Sequence, residues 1–163
     1  MQADTPAALA LRLGKSLTAR GMMLATAESC TGGGVAAAIT GVAGSSVWFE
    51  RGYVTYSNEA KQEMLSVSAA TLLANGAVSE QVAVEMAAGA LLHSRAQIAV
   101  AVTGIAGPGG GSADKPVGTV CFAWAQRGAT PLVQTHKFVG NRASVRRQSV
   151  VVALRGLLEM GGS

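Results

Sequence analysis

The sequence predicts one α/β domain over residues 1–163, with helices layered on a mixed sheet of about five strands. Three observations carry this expectation. Segments with helical and strand-like patterning alternate along the chain. Residues 97–103 form a near-continuous apolar run of the kind a central strand shows when it is buried on both faces. Glycine-rich loops follow directly on two of the apolar runs, at 32–34 and 104–111. A chain of 163 residues with 49% hydrophobic content has the length and apolar content for one sizeable core.

The elements follow in order. Leu9, Leu13 and Leu17 recur every four residues beside Arg12, Lys15 and Arg20, which predicts an amphipathic helix over 5–20 ending at Gly21. Residues 22–27 are short and apolar, a buried strand, and run through Glu28, Ser29 and Cys30 into Thr31 and three glycines before a helical stretch at 35–39. Such a strand, loop and helix junction aims backbone N–H groups and the positive end of a helix dipole at one spot, which suits an anion or a developing oxyanion. Residues 47–57 are rich in strand-favouring Val, Trp, Phe, Tyr and Thr. Asn58 reads as the cap of a helix over 59–65, Ser68 of a short helix to Ala74, and Ser79 of a helix over 80–93. After the central strand and its glycine loop, 117–126 and 131–139 read as strands joined by a hairpin turn at 127–130. Asn141 opens a final helix to about Met160.

Composition excludes several functions. A mean hydropathy of +0.34 comes largely from Ala and Val, and no apolar run approaches the ~20 residues a membrane span needs. Residues 1–21 lack the uninterrupted apolar core of a secretory signal, so the expected location is cytoplasmic. Cys30 and Cys121 are too few for a disulfide framework, and with only two histidines no metal site is expected. The net charge of +4 allows an anionic ligand, and Arg142, Arg146 and Arg147 concentrate positive charge in one stretch. Seven aromatic residues without a basic and aromatic alternation give little material for stacking bases, so no nucleic-acid partner is expected.

Neither glycine loop matches a known phosphate motif. The loop at 104–111 has no Gly-Lys-Ser/Thr ending, and neither follows the dinucleotide G-x-G-x-x-G register. No G-x-S-x-G surrounds Ser29, and His93 and His136 suggest no Ser-His-Asp triad. A serine nucleophile here needs another base. Ser29 is the candidate, at a strand end with the N–H groups of Thr31, Gly32 and Gly33 close by as an oxyanion hole; its plainer reading is a helix cap. Lys61, one of four lysines, is the candidate base, because the first turn of a helix disfavours a cation. Its plainer reading is an exposed lysine between Glu59 and Glu63. Tyr56 and Thr103 are candidate hydrogen-bond donors to substrate or ordinary strand-end polarity. Arg142 and Arg146 share a helix face, with Arg147 rotated by roughly 100°, so the three form either a phosphate clamp or a solvated basic face.

These residues, in this order, resemble the CinA C-terminal domain family of nicotinamide-nucleotide amidases. The matching stretches are 26–33 (TAESCTGG), 43–49 (AGSSVWF), 52–61 (GYVTYSNEAK), 76–80 (GAVSE), 103–107 (TGIAG) and 115–120 (KPVGTV). Six separated blocks spanning nearly the whole chain are far more specific than any one glycine motif. The resemblance implies a stand-alone amidase domain and a three-layer α/β/α sandwich with a mixed, mostly parallel sheet. It implies hydrolysis of the carboxamide of nicotinamide mononucleotide to nicotinate mononucleotide and ammonia, by a Ser29 and Lys61 pair without metal or cofactor, in a homo-oligomer. On that reading Cys30, Thr31, Gly32, Gly33, Thr103, Gly104 and Gly107 surround the substrate, Tyr56 assists, and one or more of Arg142, Arg146 and Arg147 hold the phosphate. A non-catalytic phosphometabolite-binding module and a competence-related interaction partner are the alternatives.

Overall fold

The structure, a computed structural model, describes residues 4–160. Thr5 caps α1 (Pro6–Arg20), which ends on Gly21 in the left-handed conformation. Then come β1 (Leu24–Glu28), α2 (Gly34–Thr40), a single 3-10 turn (Ser45–Val47) and β2 (Phe49–Val54). Three helices follow, α3 (Asn58–Leu65), α4 (Ala69–Asn75) and α5 (Glu80–Leu92), and then β3 (Ile98–Gly104), β4 (Thr119–Gln126), β5 (Leu132–Lys137) and α6 (Arg142–Met160). The five strands lie in the order β2-β1-β3-β4-β5. β2, β1 and β3 run parallel, and β4 and β5 continue the sheet antiparallel.

Alternation along the strands divides the core into two unlike halves. Leu24, Ile98, Val100, Val102, Val120, Phe122 and Trp124 point to one face and pack on α1, α2 and α6. The residues between them, Ala25, Ala27, Ala99, Ala101, Cys121, Ala123 and Ala125, point to the other face, under α5 and the ends of α3 and α4. One-carbon side chains let a helix approach the sheet closely, and α5 answers with Ala83, Ala87, Ala90 and Gly89. A Cβ at Gly89 would run into the Leu65 carbonyl at the end of α3. Because the obstacle is backbone, Gly89→Ala is expected to lower stability by about 1–3 kcal/mol, read as a lower urea midpoint at unchanged m.

Several boundaries differ from the sequence expectation. Of the strand expected over 47–57 only Phe49–Val54 forms: Val47 closes a 3-10 turn, Trp48 is buried against Gly14 of α1, and 55–57 lead into α3, while β4 and β5 are shorter than 117–126 and 131–139. Ser57 rather than Asn58 caps α3, its hydroxyl accepting from the Ala60 N–H at 3.0 Å. Asn58 becomes the first helical residue. Ser68, Ser79 and Asn141 each cap the helix that follows.

β1 is followed by β2 on one side and paired with β3 on the other, so the chain reverses its direction of winding at β1. Crevices outside the carboxyl ends of strands at such a switch point are where open α/β sheets bind ligands. Ser29 leaves β1 at that point, and Thr103 and Gly104 end β3 beside it.

Candidate active site

Ser29 is anchored by its backbone N–H to Val102 O at 2.9 Å, which ties the end of β1 to β3. The chain then turns: the Gly32 N–H donates to Ser29 O at 3.0 Å, and Gly33 takes φ 101°, open to glycine but strained for other residues. Lys61 projects from α3 beneath this turn and is 1% exposed. Its Nζ lies 3.1 Å from Ser29 Oγ, 3.0 Å from Thr55 O and 3.5 Å from Tyr56 O. No carboxylate pairs with it among the described residues.

Lys61 Nζ thus faces three oxygens, donating to Ser29 Oγ and to the two carbonyls. In its neutral form its two N–H groups would serve the carbonyls and leave the lone pair for the Ser29 hydroxyl. Burial holds the Lys61 amine below the ordinary lysine range, opposed only by the nearby Cys30 thiol. The exposed lysine between two glutamates is therefore not what this chain builds, and desolvation replaces the helix dipole as the main reason for the depressed pKa.

Nor is Ser29 a helix cap. Gly33 occupies the cap position of α2, and the carboxylate of Glu28 satisfies the helix instead: Oε1 accepts from the Val35 N–H at 2.8 Å and the Thr31 hydroxyl at 2.6 Å, and Oε2 from the Ala36 N–H at 3.0 Å. The expectation that this helix end receives an anion is thereby overturned, because the protein's own carboxylate fills it. The predicted oxyanion donors change too. The Gly32 N–H is committed to Ser29 O, and Thr31, Gly32 and Gly33 do not line the cavity above Ser29, whereas Cys30 does. The Cys30 N–H has no backbone partner among the described residues.

The cavity, about 290 Å³, lies at the lower end of the range for small-molecule sites. Ser29, Cys30 and Lys61 form its floor, Thr103, Gly104 and Gly107 one wall, and Tyr56, Asn58 and Arg142 its rim. Burial pushes the Cys30 thiol up to about 11, which leaves it protonated and a poor competitor of Ser29 as nucleophile. Thr103 is buried with its hydroxyl donating to Ala77 O at 2.9 Å, so it joins β3 to the segment before α5 and has no proton left for a ligand.

The three arginines part company. Arg142 alone reaches the cavity, donating to Gly107 O at 2.8 Å and to the Tyr56 hydroxyl at 3.2 Å. Arg146 donates to the carbonyls of Cys30 at 3.1 Å and Thr31 at 3.3 Å. Arg147 lines a different cavity, with His136 and Phe138. A clamp of all three is not assembled. Among the described residues no three His, Cys, Asp or Glu side chains come together as metal ligands, and no helix is long and apolar enough to cross a membrane. Sequence reasoning missed Glu28, Thr55 and Asn58; an acid at a strand end ahead of a glycine turn was the available signal for Glu28.

Residues 6–160 match the model of the CinA C-terminal domain. The chain is 56% identical over 149 residues to the nicotinamide-nucleotide amidohydrolase PncC of Escherichia coli (strain K12), covering 91% of this chain and 90% of that one. It is 51% identical to the protein of the same name from Pseudomonas putida, over 97% and 98% of the two chains. Among solved structures it is similar to the competence/damage inducible protein CihA from Agrobacterium tumefaciens, with a TM-score of 0.94, 48% identity and coverage of 98% and 97%.

Proposed function

Because this chain belongs to the CinA C-terminal domain family, we propose that it hydrolyses the carboxamide of nicotinamide mononucleotide, giving nicotinate mononucleotide and ammonia. The observation that carries the reading is the 3.1 Å approach of the buried Lys61 amine to the Ser29 hydroxyl at the bottom of a cavity. A neutral amine is the base a serine needs where no histidine is at hand.

In the first step Lys61 Nζ takes the Ser29 proton as Oγ bonds the amide carbon. The Thr55 and Tyr56 carbonyls sit where they stabilise the ammonium that forms. Charge moving onto the amide oxygen is met by the Cys30 N–H. The tetrahedral carbon then expels its nitrogen, which receives the proton from Lys61 and departs as ammonia. Water repeats the sequence: Lys61 takes its proton, hydroxide adds to the ester carbon, and Ser29 leaves with that proton restored. The product is a carboxylic acid that ionises at neutral pH.

Arg142 supplies the cation for the nucleotide phosphate, exchanging its bond to the Tyr56 hydroxyl for one to a phosphate oxygen, while Gly109 and Gly110 bring backbone close to the same rim. A coupled ammonia assay tests the function directly. The unmodified protein is expected to release one ammonia per nicotinamide mononucleotide consumed, and no release would end the proposal. Arg142→Ala should raise KM by roughly 10- to 100-fold with kcat within a few-fold, as loss of a charged hydrogen bond distant from the scissile bond predicts.

A further inference from the structure

Glu28 is 1% exposed and immediately precedes the candidate nucleophile, yet its side chain faces away from the cavity. Alternation along β1 sends Leu24, Thr26 and Glu28 toward α2 and α6, and Ser29 toward the opposite face, where Lys61 waits. Both sides of the peptide joining Glu28 to Ser29 are held: Glu28 O accepts from the Thr55 N–H at 2.8 Å, and the Ser29 N–H donates to Val102 O at 2.9 Å.

The turn that follows is gripped twice more. On one side the Glu28 carboxylate takes the Thr31 hydroxyl and the Val35 and Ala36 N–H groups. On the other, the Arg146 guanidinium takes the carbonyls of Cys30 and Thr31. The donors of the loop are thus held by a carboxylate and its carbonyls by a guanidinium, and the segment they fix begins directly after Ser29. A cap serving α2 alone would not need the Thr31 hydroxyl, which is the shortest of the three bonds at 2.6 Å.

We propose that Glu28 is a positioning residue for Ser29: by binding Thr31 and the start of α2 it sets the loop so that the serine oxygen stays within reach of the Lys61 amine. This rests on the reading of Ser29 as the nucleophile, and it also reassigns Arg146 from phosphate binding to the support of the same loop. Glu28→Gln keeps the shape but turns an N–H₂ toward the donors at Val35 or Ala36.

The test uses the full chain and two readouts: turnover of nicotinamide mononucleotide, and labelling of Ser29 by phenylmethylsulfonyl fluoride followed by intact mass. In Glu28→Gln that is folded by circular dichroism at the assay temperature, kcat is expected to fall roughly 10- to 100-fold with KM little changed, and labelling to slow in parallel. A purely structural cap would lower the melting temperature and leave both rates alone; that result overturns the proposal. Should Glu28→Gln fail to fold, Thr31→Val, which removes only the hydroxyl bond, takes its place, and unchanged labelling there overturns it equally. Wild-type protein that labels at Ser29 but releases no ammonia would defeat the nicotinamide reading and leave the labelling comparison standing. Wild-type protein that takes no label overturns the positioning role.

Discussion

Ser29→Ala is expected to abolish ammonia release from nicotinamide mononucleotide, with kcat reduced by about 10⁴-fold or more, the scale on which removal of a serine nucleophile acts. The fold should persist. The side chain of Ser29 touches only the Lys61 amine among its hydrogen-bond partners, while its backbone bonds to Val102 and Gly32 do not involve the hydroxyl. Ser29 also caps no helix, since Gly33 and the Glu28 carboxylate fill that place. Loss of activity with an unchanged melting temperature therefore separates a nucleophile from a structural serine. Full activity in the folded variant would remove the acyl-enzyme from the mechanism.

Lys61→Met should be as damaging to kcat while raising stability. Methionine fills the same channel without a charge to desolvate, and without the base no proton leaves Ser29. Lys61→Arg should not rescue it, because a guanidinium stays protonated at any working pH. The pH dependence follows from the direction of the Lys61 shift. Burial lowers the folded pKa below the ~10.4 of an unfolded lysine, so between the two values the unfolded chain binds more protons and stability rises with pH. As pH falls through that window the cost of burying the amine grows, and it is fully present below the folded pKa. The melting temperature of Lys61→Met should accordingly exceed that of the wild type by a margin that widens as pH is lowered from about 10 toward neutrality. For activity the same group makes kcat/KM rise with pH through the depressed pKa, since only the neutral amine accepts a proton. A profile flat across that region, or a variant destabilised most at low pH, would show that the amine is not the titrating base.

Much of the architecture could be read from local pattern. The leucine period of α1, the apolar run of β3 and the glycine turn between β4 and β5 are signals that lie within one element or between neighbours, and each formed where expected. The placement of β2 was less legible because Trp48, a strand-favouring residue, is claimed by a gap at Gly14 on another element. The division of the core into a bulky and an alanine face was present in the alternation, but its consequence, the close seating of α5, depends on Gly89 meeting the end of α3.

The site shows the same contrast. Ser29 was visible because a hydroxyl between a strand end and a run of glycines is a local feature. Lys61 looked solvated, flanked by Glu59 and Glu63, and is a buried amine only because packing turns one side of α3 inward while those glutamates stay outside. Glu28 caps residues seven and eight positions downstream, beyond the reach of an ordinary capping pattern. The arginines could be placed on α6 from sequence spacing, yet only the fold assigns Arg142 to the cavity rim, Arg146 to loop carbonyls and Arg147 to another face.

By itself, then, the amino-acid order determined most strands and helices and the stretches that carry the family likeness, because these depend on side-chain period and turn chemistry within a few residues. The tertiary structure alone decided which amine is dry, which carboxylate binds the loop after Ser29 and which guanidinium lines the cavity. Those properties come from desolvation and hydrogen-bond partners contributed by elements distant along the chain.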